Sequence, residues 1–208
     1  KEVIKKETLP DGNLGSAQAF FFNLRLDKFK DQKIREAIGL MFNFEWSNKT
    51  LFFDLYERVT SFWENSNMQA SGEISERELA ILNPLKNYLP KSVYENSVFI
   101  PPISKPDKVD RKNRRKATKL FKESGWELIG GKLKNKDGDT FTLEILNYSP
   151  AFDRIINPFI QNLKLLGIDA KHTRIDSTQY TERVRNFEWE IITSTYGNSL
   201  TPGLELIQ

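Results

Sequence analysis

The stretch TFTLEILNYSPAFDRIINPFIQNLKLLGIDAKHTRIDSTQYTERVRNFEWEIITS (Thr140–Ser194) decides the fold. Its first eight residues, Thr140–Asn147, have the composition of a strand. Phe152, Ile155, Ile156, Phe159, Ile160, Leu163 and Leu166 then recur on one broad helical face. Gly167-Ile168 stops that helix and opens a strand over Asp169–Ile175. A short helix follows over Ser177–Arg185, then a strand over Trp189–Ser194. Pro158 lies inside the apolar helix; because the stripe runs through it unbroken, a kink is predicted there rather than a helix start. This alternation predicts an α/β fold, a mixed or mostly parallel sheet with flanking helices and right-handed crossovers. Ligands of open α/β sheets sit beyond the carboxyl ends of the strands. The loop Thr195–Gly203 (TYGNSLTPG) is therefore the predicted binding edge.

Upstream, Ala17–Leu24 (AQAFFFNL) is a continuous apolar run that predicts a central buried strand. Asp31 caps a helix with Ile34, Ala37, Ile38, Met41 and Phe42 on one face. A second helix is expected over Ser47–Leu55, entered through Asn43–Trp46. Ser75 with Glu78 is a capping box, and Pro84 should kink or end the helix behind it. Pro90, Pro101, Pro102 and Pro106 punctuate an extended stretch. A basic helix over Lys108–Ser124 closes at Gly125, and Asp137-Gly138 marks a hairpin turn.

The 208 residues suit one domain with room for a core. Mean hydropathy is −0.53 and no apolar run reaches the roughly 18 residues that a membrane span needs. The opening KEVIKKETLP has neither the apolar segment nor the cleavage site of a signal peptide, so the expectation is a cytosolic protein or a segment from inside a longer mature chain. The absence of cysteine excludes disulfides, thiolate chemistry and cysteine metal sites. A net charge of +3 is mild and does not by itself imply a nucleic-acid partner.

The basic run Lys105–Lys122 surrounds Ala117, Leu120 and Phe121. It reads as a solvated helix face, with a nucleic-acid-binding module as the alternative function. His172, the single histidine, cannot make a metal site with cysteine and is expected at the surface or an edge. Glu188 and Glu190 share one face of a strand, a spacing that suits a half-exposed strand better than acid–base catalysis. The aromatics of Phe52–Trp63 favour core, with Tyr56 and Trp63, which carry polar handles, the members expected to face a cleft. No catalytic residue, metal ligand or cofactor is predicted. Tyr196-Gly197-Asn198-Ser199 can present backbone groups and small polar side chains after a strand end, and Gly197 permits close approach to a ligand. With Thr193 and Thr195 these residues form the candidate ligand-binding site.

Five segments in order resemble one family. FNLRLDKFKDQKIREAIGLMFNFEW (Phe22–Trp46), LFFDLYERVTSFWENSNMQASG (Leu51–Gly72), ATKLFKESGW (Ala117–Trp126), LKLLGIDAKHTRIDSTQYTERVRNFEWEI (Leu163–Ile191) and STYGNSLTPG (Ser194–Gly203) are similar to motifs of extracellular solute-binding proteins of family 5. These are the oligopeptide, dipeptide and nickel receptors of ABC importers, and the likeness is greatest to the Yej-type peptide-binding proteins. The resemblance implies a connector over residues 1–16 and one α/β lobe over 17–208 of a clamp of the type II periplasmic-binding-protein kind. It also implies a periplasmic monomer, a peptide or peptide-like ligand, delivery to an inner-membrane ABC permease, no nucleic acid and no enzymatic activity. In related receptors an aromatic and an aspartate follow the strand matching Trp189–Ser194. Here Tyr196 matches the aromatic, while Ser199 falls near the aspartate and cannot neutralise a peptide ammonium. Asn43 stands where an aspartate is usual, and Leu204 where an asparagine is usual.

Overall fold

Asn23 does much to set the sheet. Its buried side chain donates to the carbonyls of Phe187 and Trp189, and its own N–H donates to Glu190 O, so the segment after the first strand is tied to the segment before the last. The computed structural model describes residues 4, 5, 7, 9, 12–95, 100–107, 109–197 and 199, with the side chain of residue 95 not included. The order of elements is β1 (Ala17–Phe22), α1 (Gln32–Gly39), α2 (Phe44–Leu51), α3 (Glu76–Leu82), α4 (Ser92–Glu95), α5 (Arg111–Glu123), β2 (Glu127–Ile129), β3 (Lys132–Lys134), β4 (Thr142–Asn147), α6 (Asp153–Lys164), β5 (Asp169–Arg174), α7 (Ser177–Arg185) and β6 (Ile191–Tyr196).

The chain divides into two compact units. One comprises Lys1–Gln18, Val59–Ile100 and Thr195–Gln208; the other comprises Ala19–Arg58 and Pro101–Ser194. The second holds the core: Ile34, Ala37 and Ile38 of α1 with Ala117 and Phe121 of α5, and Leu143 and Ile145 of β4 with Ile156, Ile160 and Leu163 of α6. In the first, Ala17 is the one buried apolar side chain among the described residues. Local devices order the described residues of this unit. Its capping box is formed, with Ser75 Oγ accepting from Glu78 N and the Glu78 carboxylate accepting from Ser75 N. Pro84 sits in a 3-10 turn directly after α3.

The four-stranded sheet has the order β1-β6-β4-β5. β4 runs parallel to β5 (Asn147 opposite Arg174) and parallel to β6 (Leu146 opposite Ile192). The α/β sheet with flanking helices is thus as the sequence predicts, but Ala17–Phe22 is an edge strand rather than a central one. Its burial is correspondingly partial, from Ala17 buried to Gln18 and Ala19 exposed. A second sheet, the hairpin β2–β3, turns at Gly130-Gly131, both at positive φ. The Asp137-Gly138 turn is closed by Asn135 N–H donating to Asp139 O, and it brings Thr140 back against Lys134. One helix, α6, runs through Pro158, preceded by a 3-10 turn at Pro150–Phe152.

Caps place the helices. Asp31 accepts from Lys33 N at the start of α1, and its second oxygen accepts from Ser124 Oγ at 2.6 Å, joining α1 to the end of α5. Asn43 accepts from Trp46 N, so α2 starts at Phe44, ahead of the expected Ser47. It stops at Leu51 rather than Leu55, because Phe53 and Asp54 are left-handed. Asp110 caps α5 and Asp176 caps α7. The α5 cations lie on its solvent side: Lys116 pairs with Glu36, Lys122 with Glu127, and the buried residues are Asn113, Ala117 and Phe121.

Candidate functional site

The parallel strands β4 and β5 end at one edge, level with Ser194 of β6, which runs on to Tyr196. Extending their register to residue 148 sets Tyr148, Ile175 and Ser194 side by side. Asn147, fully buried, locks the end of β4: its Nδ2 donates to Ser149 O at 2.7 Å and its Oδ1 accepts from Ser149 N at 3.1 Å. Ile175 N–H donates to Asn147 O at 3.0 Å and ties in the end of β5. Tyr148, so placed, meets Tyr180 of α7, with ring centroids 4.8 Å apart at 49°. The Tyr180 hydroxyl reaches β6 and donates to Thr193 O at 3.2 Å. Burial, and after it the neighbouring Tyr148, raises the pKa of the Tyr180 hydroxyl, which keeps it a neutral donor. The result is a ridge of strand-end backbone with a half-exposed aromatic ring beside it.

Glu144, lower on β4, pins the sheet beneath this edge. Its carboxylate accepts from Thr173 Oγ1 at 2.7 Å and from Arg183 at 2.8 Å, and it pairs with Lys171 at 3.2 Å. Strands β4 and β5 and helix α7 are thereby joined through one side chain.

Of the predicted site residues, Thr193 belongs to this edge. Thr195 and Tyr196 are not loop residues: β6 begins two residues later than Trp189 and runs on through Tyr196. The cause is non-local, because the bonds to Asn23 and a left-handed Phe187 (φ 58°) take residues 187–190 out of the strand. Thr195 Oγ1 accepts from Gln18 Nε2 at 3.2 Å. Tyr196 is 55% exposed, and Gly197 and Ser199 are exposed beyond it. Asn198 and Pro202-Gly203 lie outside the described residues.

Tyr56 and Trp63 sit on two separate turns, one in each unit. The backbone of Tyr56 is clamped by Asn48, whose Nδ2 donates to Tyr56 O and whose Oδ1 accepts from Tyr56 N. Trp63 is half-buried in a turn held by the Glu64 carboxylate, which accepts from Thr60 and Ser61. The aromatic segment is not core. Phe53, Tyr56 and Phe62 are exposed, because a clamped turn offers no continuous face to bury them.

His172 lies on the edge strand β5, as expected, but its side chain is only 11% exposed: Nδ1 is 3.0 Å from Asn157 Oδ1 and Nε2 is 3.7 Å from Asp153. Glu190 is paired with Lys28 and accepts from Glu144 N, a structural role. Among the described residues, no group of three or more His, Cys, Asp or Glu is placed to hold a metal ion. Sequence reasoning missed Tyr148 and Tyr180. The strand-end rule applied to Asn147 as well as to Ser194 would have found the first.

The model of the bacterial extracellular solute-binding proteins, family 5 (middle), matches residues 2–207. The probable peptide-binding protein YejA of Agrobacterium fabrum is 38% identical over 205 residues, covering 97% of this chain and 33% of that protein. The peptidoglycan-binding protein YepA of the same organism is 31% identical over 198 residues, covering 95% and 31%. The chain thus spans about a third of the length of the curated relatives it matches. The oligopeptide-binding protein AppA of Bacillus subtilis, solved in complex with a nonapeptide, has the same fold, with a TM-score of 0.63 at 17% identity over 92% of this chain and 34% of that one. The chain belongs to the bacterial extracellular solute-binding proteins of family 5.

Proposed function

We propose that the chain is one lobe of a periplasmic receptor for peptides or peptide-like solutes that hands its ligand to an inner-membrane ABC permease. The observation that carries this reading is the strand edge itself. Backbone at the end of β4 and beside it on β6, with the half-exposed Tyr148, is held by the side chains of Asn147 and Tyr180. Such an edge binds by main-chain hydrogen bonds and packing rather than by covalent chemistry. The names of the relatives point the same way, one to peptides and one to peptidoglycan. Ligand would be enclosed by hinge closure against a second lobe, so this lobe alone supplies half of a site. Thr193, Thr195, Tyr196, Gly197, Asn198 and Ser199 are its proposed contacts, with Tyr56 and Trp63 as outlying ones.

The test is mass spectrometry of the solute that co-purifies with the longer receptor carrying this chain, followed by calorimetry with that solute on the receptor and on the 208-residue chain. A peptide-containing solute, bound far more weakly by the chain alone, is expected. A solute without peptide bonds refutes the ligand class, and equal affinity for both proteins refutes the half-site.

A further inference from the structure

We propose that Tyr148, backed by Tyr180, forms a subsite selective for an aromatic side chain of the ligand. The inference rests on the peptide reading above and assigns one position of specificity within it.

Three observations carry it. The backbone bearing Tyr148 is fixed: the buried Asn147 side chain bonds both the N–H and the carbonyl of Ser149, closing the turn around residue 148. The ring is backed: Tyr180 lies 4.8 Å away, and its hydroxyl is anchored on Thr193 O of a third element. The ring is also half open, with Tyr148 49% exposed at the level of Ser194. An aromatic whose orientation is fixed before binding loses little freedom when a ligand ring packs on it. It prefers an offset or edge-on aromatic partner.

Arg174, Asp153 and Asp176 are charged side chains next to the ends of β5 and α6 at this edge. Arg174, which ends β5, and Asp153, which begins α6, cancel as an ion pair at 2.9 Å. One oxygen of the Asp176 carboxylate, Oδ1, accepts from the N–H groups of Thr178 and Gln179. The selectivity therefore rests on the ring pair, and a lysine peptide tests whether the Asp176 charge competes with it.

The experiment is calorimetry on the longer receptor with Ala-Phe-Ala, Ala-Lys-Ala and Ala-Ala-Ala. The unsubstituted receptor should favour Ala-Phe-Ala over Ala-Ala-Ala by about 3- to 10-fold, the size of one aromatic pair. Tyr148→Leu, which keeps an apolar side chain, should abolish that preference by weakening Ala-Phe-Ala more than Ala-Ala-Ala, while Tyr148→Phe should retain it. A preference that survives Tyr148→Leu overturns the inference, as does an equal loss for all three peptides or a preference for Ala-Lys-Ala. If no peptide binds the unsubstituted receptor, the peptide reading itself fails.

Discussion

Replacing Gly167 with alanine tests how the end of α6 is joined to the β2–β3 hairpin. Gly167 has φ +83°, and a methyl there would lie 2.5 Å from Leu128 Cδ1, 2.7 Å from Leu133 N and 3.0 Å from Lys132 C. The Leu128 side chain is half-exposed and can swing aside. The backbone cannot, because Leu133 N–H donates to Gly167 O at 2.8 Å and Leu133 is buried. Gly138 supplies the control: its φ is +88°, but a methyl there meets nothing within 4 Å. The left-handed conformation alone costs alanine about 1–2 kcal/mol, partly offset by the reduced freedom of the unfolded chain. Gly138→Ala should therefore lose about 1 kcal/mol. Gly167→Ala should lose roughly a further 1–3 kcal/mol, the cost of a buried amide without its acceptor. Urea unfolding followed by near-ultraviolet circular dichroism gives the two values, and hydrogen exchange at the Leu133 amide reports the bond itself. Losses within about 0.5 kcal/mol of each other, below the expected margin, or equal protection of Leu133 in both variants, would refute the reasoning.

Three further outcomes follow from the second unit. Asn43→Asp should cost about 2–4 kcal/mol in urea unfolding, more than Asn43→Ser. The buried Asn43 accepts from Trp46 N and donates to Lys105 O and Asp107 O, so a carboxylate would keep the cap and face two carbonyls. Burial opposes ionisation of Glu144, but hydrogen bonds from Thr173, Arg183 and Lys171 outweigh it and lower its pKa. Its contribution is present above the ordinary carboxylate range and is lost as pH falls through the lowered value. The stability gap between the parent chain and Glu144→Gln should therefore shrink on acidification from about pH 6 to about pH 3. For His172, burial lowers the pKa, Asp153 opposes and Arg174 reinforces. The unfolded chain then takes up a proton more readily than the folded one, so His172 costs stability as pH drops below about 6.5. An NMR titration midpoint above that value would show that Asp153 dominates.

The parts of the fold legible in the sequence are those fixed by neighbours along the chain. α7 spans Ser177–Arg185, as its pattern predicts, because Asp176 supplies its cap locally. Gly167 stops α6 because the turn demands a positive φ. The Ser75–Glu78 box forms for the same reason, from residues three apart. Sheet order was not legible. AQAFFF reads as a buried strand wherever it stands, and only its place beside β6 makes it an edge.

The candidate site divides along the same line. The strand-end rule needs only the order of elements, and it locates Thr193 at the edge without any contact being known. What it cannot supply is the angle at which α7 presents its side chains. Tyr180 reaches Thr193 O and Tyr148 only because α7 packs with that residue turned toward the sheet. In the sequence Tyr180 is one polar-tipped aromatic in a helix whose residues are otherwise largely polar, so no stripe singles it out. The start of β6 is hidden for a related reason: Trp189 and Glu190 have strand composition, yet their backbone is bound by Asn23, more than 160 positions earlier. A pattern read along the chain therefore finds where a ligand can approach, while the residues that shape its recognition are set by contacts between strands and helices distant in sequence.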